Sequence, residues 1–243
     1  MPGVRFIIRS VLSIALIAVA GCTAPPATGI NDPFEGTNRR VHNFNKEIDR
    51  AVLRPLSRGF DNVAEGPASR GISNFSSNLG LPGAVANDLL QLKIDDAFVN
   101  TARFVMNTTF GVAGLFDVAT PNGLNEKPTD FGETLHVWGF PEGPFVELPF
   151  LSASTVRDTT GMVVDFVFDP VNSVVPTPQR YVGTLANVVN SVGNRSRYSD
   201  LVDQLLYESE DSYAQTRLVY LQSRRKNLQG GLVDADLEDP YAE

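Results

Sequence analysis

Apolar positions return at helical spacing through most of the chain, in short runs divided by glycine and proline. Asp32, Pro33, Phe34 and Glu35 carry the marks of a helix start: an acid to cap it, a proline in the first turn and an acid three positions after the cap. Beyond it Val41, Phe44, Ile48 and Val52 share one face, while Arg39, Lys46, Arg50 and Arg54 fall on the other, so the spacing predicts an amphipathic helix that Pro55 ends. Two placements suit it: on a protein core with its cations in water, or at a lipid boundary with its cations near phosphates. Pro67 opens a second helix, with Ile72, Phe75 and Leu79 in register and Gly80 as its stop. Pro82 and Gly83 begin a further short segment, and Ile94, Phe98, Ala102 and Val105 mark another helix. Residues 120–129 form a polar loop rich in turn formers.

Residues 131–151, FGETLHVWGFPEGPFVELPFL, break this rhythm. They hold the only tryptophan, Trp138, together with Phe131, Phe140, Phe145 and Phe150, interleaved with Gly132, Gly139, Gly143 and three prolines. That density of glycine and proline excludes a long helix and predicts a hairpin-like excursion. Its aromatic side chains need apolar surroundings: the protein's own interior, a partner protein or lipid.

Past this loop, Ser152 or Ser154 is a candidate cap for a helix through Val156 and Arg157, which Gly161 interrupts. Residues 162–176 have strand propensity but no evident partner strand, so a short buried helix or an extended segment is expected there. Val182, Leu185, Val189 and Val192 mark a helix, and residues 198–228 read as two more, divided by Glu208, Glu210 and Asp211, whose charges suit a helix N-terminus. The body is therefore expected to be all-α, built of short helices with one Gly/Pro/aromatic hairpin loop.

The first 21 residues change the picture. They carry Arg5 and Arg9, no acid, and an apolar run before Gly21 and Cys22, which is the composition of a signal peptide. Cys22 is the only cysteine, so an intrachain disulfide framework is excluded, and its setting after Val19, Ala20 and Gly21 resembles a lipoprotein processing box in which the thiol takes a diacylglyceryl group. Acyl chains at about 0.8 kcal/mol per buried CH₂ would make attachment to a bilayer effectively permanent. Thr23, where an aspartate would signal retention in the inner membrane, points to the outer one. Residues 22–31 are then the lipidated cysteine and a flexible tether, residues 32–230 the helical domain, and residues 231–243 an acidic disordered tail. Loss of the two leader arginines takes the formal charge from −8 to −10, which disfavours nucleic acid as a partner.

No phosphate-binding glycine loop, nucleophile elbow or HExxH motif occurs. The two histidines, His42 and His136, are far apart and no carboxylate spacing singles out a metal site or a catalytic pair. No enzyme activity, metal or cofactor is expected.

Several runs resemble the MlaA/VacJ family of outer-membrane lipoproteins: DPFEGTNR from Asp32 to Arg39, with Asn43, Phe44 and Asn45 after it; Arg54 with Pro55; GISNF from Gly71 to Phe75; Arg103, Phe104, Asn107 and Thr108; then FGETL, GPFVELPF and Val156, Arg157, Asp158. The likeness spans nearly the whole domain; where the family tends to have Asp, Pro, Tyr, this chain has Asp211, Ser212, Tyr213. The resemblance implies a ring-like helical body, membrane-associated on the periplasmic (inner-leaflet) side of the outer membrane, with an amphipathic channel. Phospholipids astray in the outer leaflet would pass through that channel to a soluble periplasmic lipid carrier, maintaining lipid asymmetry. A trimeric porin and the carrier are the implied partners. Asn43, Phe44 and Asn45 are candidates to touch headgroups or shape the channel, or else an ordinary core phenylalanine between two solvated amides. Phe131, Gly132, Trp138, Gly139, Phe140, Gly143, Phe145 and Phe150 are candidates for a hairpin gate, or else for a static loop that fills the ring. The competing function is a structural, porin-associated envelope lipoprotein without transport activity.

Overall fold

The computed structural model describes residues 30–64, 66–168 and 180–229. The leader, Cys22, most of the tether and the acidic tail lie outside the described residues.

The chain stays helical from Glu35 to Ala64: α1 (Glu35–Ile48), a π-helical turn (Asp49–Leu53) and α2 (Arg54–Ala64). Pro55 does not end the helix as its sequence setting suggests. It lies in the first turn of α2, just after a wide turn has already broken the regular ladder, where a missing N–H costs little. Asp32 does not cap α1 either: Phe34 occupies the N-cap with no side-chain bond, and the Asp32 carboxylate instead accepts from Asn38 Nδ2 at 2.9 Å and from Tyr213 and Arg217.

Gly80 is likewise no stop. Helix α3 (Pro67–Leu90) runs through Gly80, Pro82 and Gly83 and packs against α4 (Ile94–Thr109), tertiary contact overriding local propensity. Residues 120–129 are a loop with one 3₁₀ turn (Thr120–Asn122).

The aromatic stretch divides in two. Phe131–Val137 is a short helix, α5, capped by the Asp130 carboxylate, which accepts from Glu133 N at 2.8 Å. The hairpin comes later, as antiparallel strands β1 (Phe145–Leu148) and β2 (Ser152–Thr155), with Phe145 opposite Thr155 and Leu148 opposite Ser152. Ser152 and Ser154 therefore lie in a strand rather than cap a helix, and the mostly helical domain carries one small sheet.

Helix α6 (Val156–Phe168) follows β2 and is not interrupted by Gly161. That glycine allows contact with α5: a Cβ there would lie 2.3 Å from Gly132 N and 2.7 Å from Gly132 Cα. Of residues 162–176, expected to be a short buried helix or an extended segment, residues 162–168 are helical with Val163, Phe166, Val167 and Phe168 exposed, and residues 169–176 lie outside the described residues. The chain closes with α7 (Arg180–Arg197), α8 (Ser199–Asp203), a second π-helical turn (Gln204–Glu208) and α9 (Ser212–Leu228). As the sequence predicts, the last helices divide at the acidic cluster, where Asp211 caps α9 by accepting from Ala214 N at 3.0 Å.

Polarity is reversed relative to a protein folded in water. Among the described residues, buried polar and charged side chains outnumber buried hydrophobic ones, and the hydrophobic cluster at the centre is Phe145, Tyr213 and Leu221. Phe98, Phe110 and Phe166 are more than 70% exposed while Asn100 and Thr134 are fully buried. In α1 the inward residues are Asn38 and His42, with Asp49 continuing that face, whereas Phe44 and Val52 point outward. Exposed apolar surface of this extent marks a body whose outside meets an apolar medium or a partner. Among the described residues no helix is long and apolar enough to cross a membrane.

Candidate functional site

A cavity of about 900 Å³ lies between α1, the hairpin, α3 and α7. Its lining is mixed: His42, Asn45 and Lys46 of α1, Asp49 of the first π turn, Glu147 of β1, and Asn187 and Ser191 of α7 are polar. Between them stand apolar side chains, among them Ile48, Leu53, Leu79, Leu151, Phe166 and Val188. The cavity is thus amphipathic, as a site for a molecule with a charged head and a hydrocarbon body must be.

Asp49 and the helices around it are held by buried and half-buried charge pairs. Arg195 donates Nε and Nη2 to the two oxygens of Asp49 at 2.8 and 3.0 Å, and Nη2 also reaches Asp203 at 2.5 Å. Arg54 donates to the same Asp203 at 2.6 Å. The two π turns meet here, because Tyr207 in the second donates its hydroxyl to Asp49 in the first at 2.8 Å. Burial together with the Asp49 carboxylate pushes the Tyr207 phenol up to about 12. Burial acts to raise Asp203, but its bonds to Arg195 and Arg54 outweigh this and hold it below the ordinary carboxylate range.

His42 is enclosed between strand and helix, Nδ1 lying 3.3 Å from Glu147 Oε1 and Nε2 3.0 Å from Ser212 Oγ. It also belongs to the wall of a separate, more polar hollow of about 650 Å³ with Arg39, Asn43, Asp211 and Tyr213. A second amphipathic cavity, about 630 Å³, shares Leu79, Gly80 and Phe166 with the first and is lined by Asn87, Phe131, Trp138 and Asp165. A Cβ at Gly80 would meet nothing within 4 Å, so the glycine leaves open space where the two cavities adjoin.

The sequence-predicted site residues are partly brought together. Asn45 faces the first cavity and holds the hairpin turn, donating Nδ2 to Leu148 O and accepting from Phe150 N, both at 2.9 Å. Phe44 packs edge to face on Phe150 at 5.3 Å, while Asn43 lines the separate hollow. The aromatic stretch is dispersed. Phe131 and Trp138, edge to face at 5.7 Å, line the second cavity; Phe150 and Leu151 line the first; Phe145 is in the hydrophobic cluster. Gly139 and Phe140 border a surface hollow with Arg225 and Glu142, Gly143 turns with φ 74°, and Gly132 sits in the close contact between α5 and α6. Cys22 lies outside the described residues.

Sequence reasoning missed Asp49, Glu147 and Ser212. Glu147 was findable: in β1 it falls on the same face as Phe145, so the period-two alternation that buries the phenylalanine buries the carboxylate as well.

A family model described as MlaA lipoprotein matches residues 30–227. The chain is 33% identical over 240 residues to the intermembrane phospholipid transport system lipoprotein MlaA of Escherichia coli K12, covering 96% of this chain and 93% of that protein. It is 32% identical over 228 residues to the protein of the same name in Haemophilus influenzae, covering 90% and 89%. A solved structure from work on the structural basis for maintenance of bacterial outer membrane lipid asymmetry superposes with a TM-score of 0.70 at 33% identity, over 81% of this chain and 98% of that one.

Proposed function

The chain belongs to the MlaA lipoprotein family, and on that premise we propose that it is an outer-membrane lipoprotein of phospholipid transport that maintains lipid asymmetry. It removes phospholipids misplaced in the outer leaflet and passes them to a soluble periplasmic carrier. A headgroup cannot cross hydrocarbon without a polar route, since each unsatisfied polar group costs several kcal/mol there. The observation that carries the reading is the mixed polar and apolar lining of the first cavity. Its polar residues, His42, Asn45, Lys46 and Glu147 among them, suit a headgroup, and its apolar residues, such as Leu79, Phe166 and Val188, suit acyl chains.

In this reading acylated Cys22 anchors the protein, and residues 23–31 keep the body at the periplasmic leaflet of the outer membrane. Exposed Phe98 of α4 and Phe168 of α6 meet lipid or a trimeric porin. Asn43, Phe44 and Asn45 shape the channel beside the hairpin, and Phe131, Gly132, Trp138, Gly139, Phe140, Gly143, Phe145 and Phe150 belong to the segment that opens or narrows it. The mechanism involves no covalent chemistry and no cofactor. Deleting the gene tests it: outer-leaflet phospholipid and detergent sensitivity rise together. Recovery of a porin by pull-down of the wild-type protein, together with unimpaired asymmetry in the deletion strain, would favour the purely structural role instead.

A further inference from the structure

The charged side chains that line the first cavity, Lys46, Asp49 and Glu147, are unequally satisfied. Asp49 is taken up by Arg195 and Tyr207. Lys46 Nζ has Ser212 Oγ at 3.4 Å and the face of Tyr207 at 5.5 Å, and forms no ion pair with a carboxylate among the described residues. Glu147, its side chain 1% exposed, holds His42 Nδ1 at 3.3 Å and Asn45 Nδ2 at 3.4 Å with Oε1, while its buried Oε2 has no hydrogen-bond partner. Lys46 and Glu147 are joined through Ser212 and His42, so both belong to one polar wall. A carboxylate oxygen buried without a donor is costly, and such an orphan signals a missing ligand.

An ammonium with no carboxylate partner among the described residues and an under-coordinated carboxylate on one wall complement a zwitterion. We propose that this wall makes the protein selective for phospholipids whose headgroup ends in a primary ammonium, Glu147 accepting from that ammonium and Lys46 meeting the phosphate. The proposal rests on the transport reading above. A primary ammonium brings three N–H donors and a positive charge, which meet the orphan oxygen once a rotation of the Glu147 carboxylate turns it into the cavity. A trimethylammonium is bulkier and has no N–H. A glycerol headgroup donates through hydroxyls but brings no charge to neutralise the carboxylate.

The test equilibrates the full-length lipoprotein in detergent with vesicles containing equal phosphatidylethanolamine, phosphatidylglycerol and phosphatidylcholine, then quantifies bound lipid by mass spectrometry. Phosphatidylethanolamine is expected to be enriched about tenfold over each of the others, the factor one charge-assisted hydrogen bond supplies. Glu147→Gln, nearly isosteric, should bring the ratios close to one, whereas Lys46→Gln should lower all three lipids and keep their order. Wild-type protein without a headgroup preference, or Glu147→Gln retaining it, overturns the proposal; if that variant does not fold, the wild-type ratios decide. Failure of the transport reading looks different: lipid is bound with its headgroup preference, yet none moves between membranes.

Discussion

Asn45 Oδ1 accepts the backbone N–H of Phe150 at 2.9 Å, across 105 residues of sequence. The bond fixes a turn in which Phe150 has φ 66° and Ser152 φ 70°, a left-handed region that side chains other than glycine rarely adopt. Asn45→Ala removes this bond and the one to Leu148 O, leaving the turn to its own strain. We expect a loss of about 1–3 kcal/mol and faster amide exchange at residues 148–151, read by hydrogen exchange. Unchanged exchange there would show that Asn45 does not hold the turn.

Gly161 and Gly132 bring α6 and α5 into backbone contact. In Gly161→Ala the new methyl must displace the Gly132 backbone, and overpacking of that kind costs about 1–3 kcal/mol or more. Gly36→Ala, where a Cβ meets nothing within 4 Å, should be neutral or slightly stabilising. Thermal unfolding of the two variants side by side checks the contrast.

Arg195→Met leaves Asp49 buried with only the Tyr207 hydroxyl of its present partners. Breaking such a pair from one side is expected to cost about 3–5 kcal/mol. The double variant Arg195→Met, Asp49→Leu should recover part of that loss, as a denaturant titration would show.

Stability should fall in acid. The hydrogen bond from Arg39, aided by the Ala214 amide, lowers Asp211 to about 2. Burial acts to raise Asp158, but Arg224 and Tyr220 outweigh it and leave it low. A carboxylate depressed by folding stabilises above its unfolded value, about 3.9, and loses that contribution as pH falls through the folded one. Asp88, raised chiefly by burial, works the other way. The unfolding midpoint should therefore drop between about pH 4 and pH 2, and Asp211→Asn should flatten the drop.

The helical periodicity of α1, α4 and α7 was legible in the sequence, but the side that faces inward was not. Spacing identifies two faces of a helix without saying which medium lies outside, and in α1 Asn38 and His42 turn inward while Phe44 is exposed. Glycine and proline misled for a related reason. Gly80 and Gly161 read as breaks, yet the first leaves space beside the cavities and the second admits a neighbouring backbone. Those roles depend on partners distant in sequence. Of the candidates read from the sequence, Asn45 and Phe150 line the first cavity and Phe131 and Trp138 the second, whereas Asp49 and Ser212 acquire meaning only through Arg195, Tyr207 and His42.

The central claim, that phospholipid passes along the adjoining cavities, is tested most directly at Gly80. Gly80→Leu fills the space between them without a contact in its way at Cβ, and Gly36→Leu is the matching control on α1. The measurement is the phospholipid labelled on intact cells by a membrane-impermeant amine reagent, in a deletion strain carrying each full-length variant at equal abundance. The account predicts that Gly80→Leu leaves outer-leaflet phospholipid as high as in the deletion strain, while Gly36→Leu restores the wild-type level. Full restoration by Gly80→Leu would contradict it.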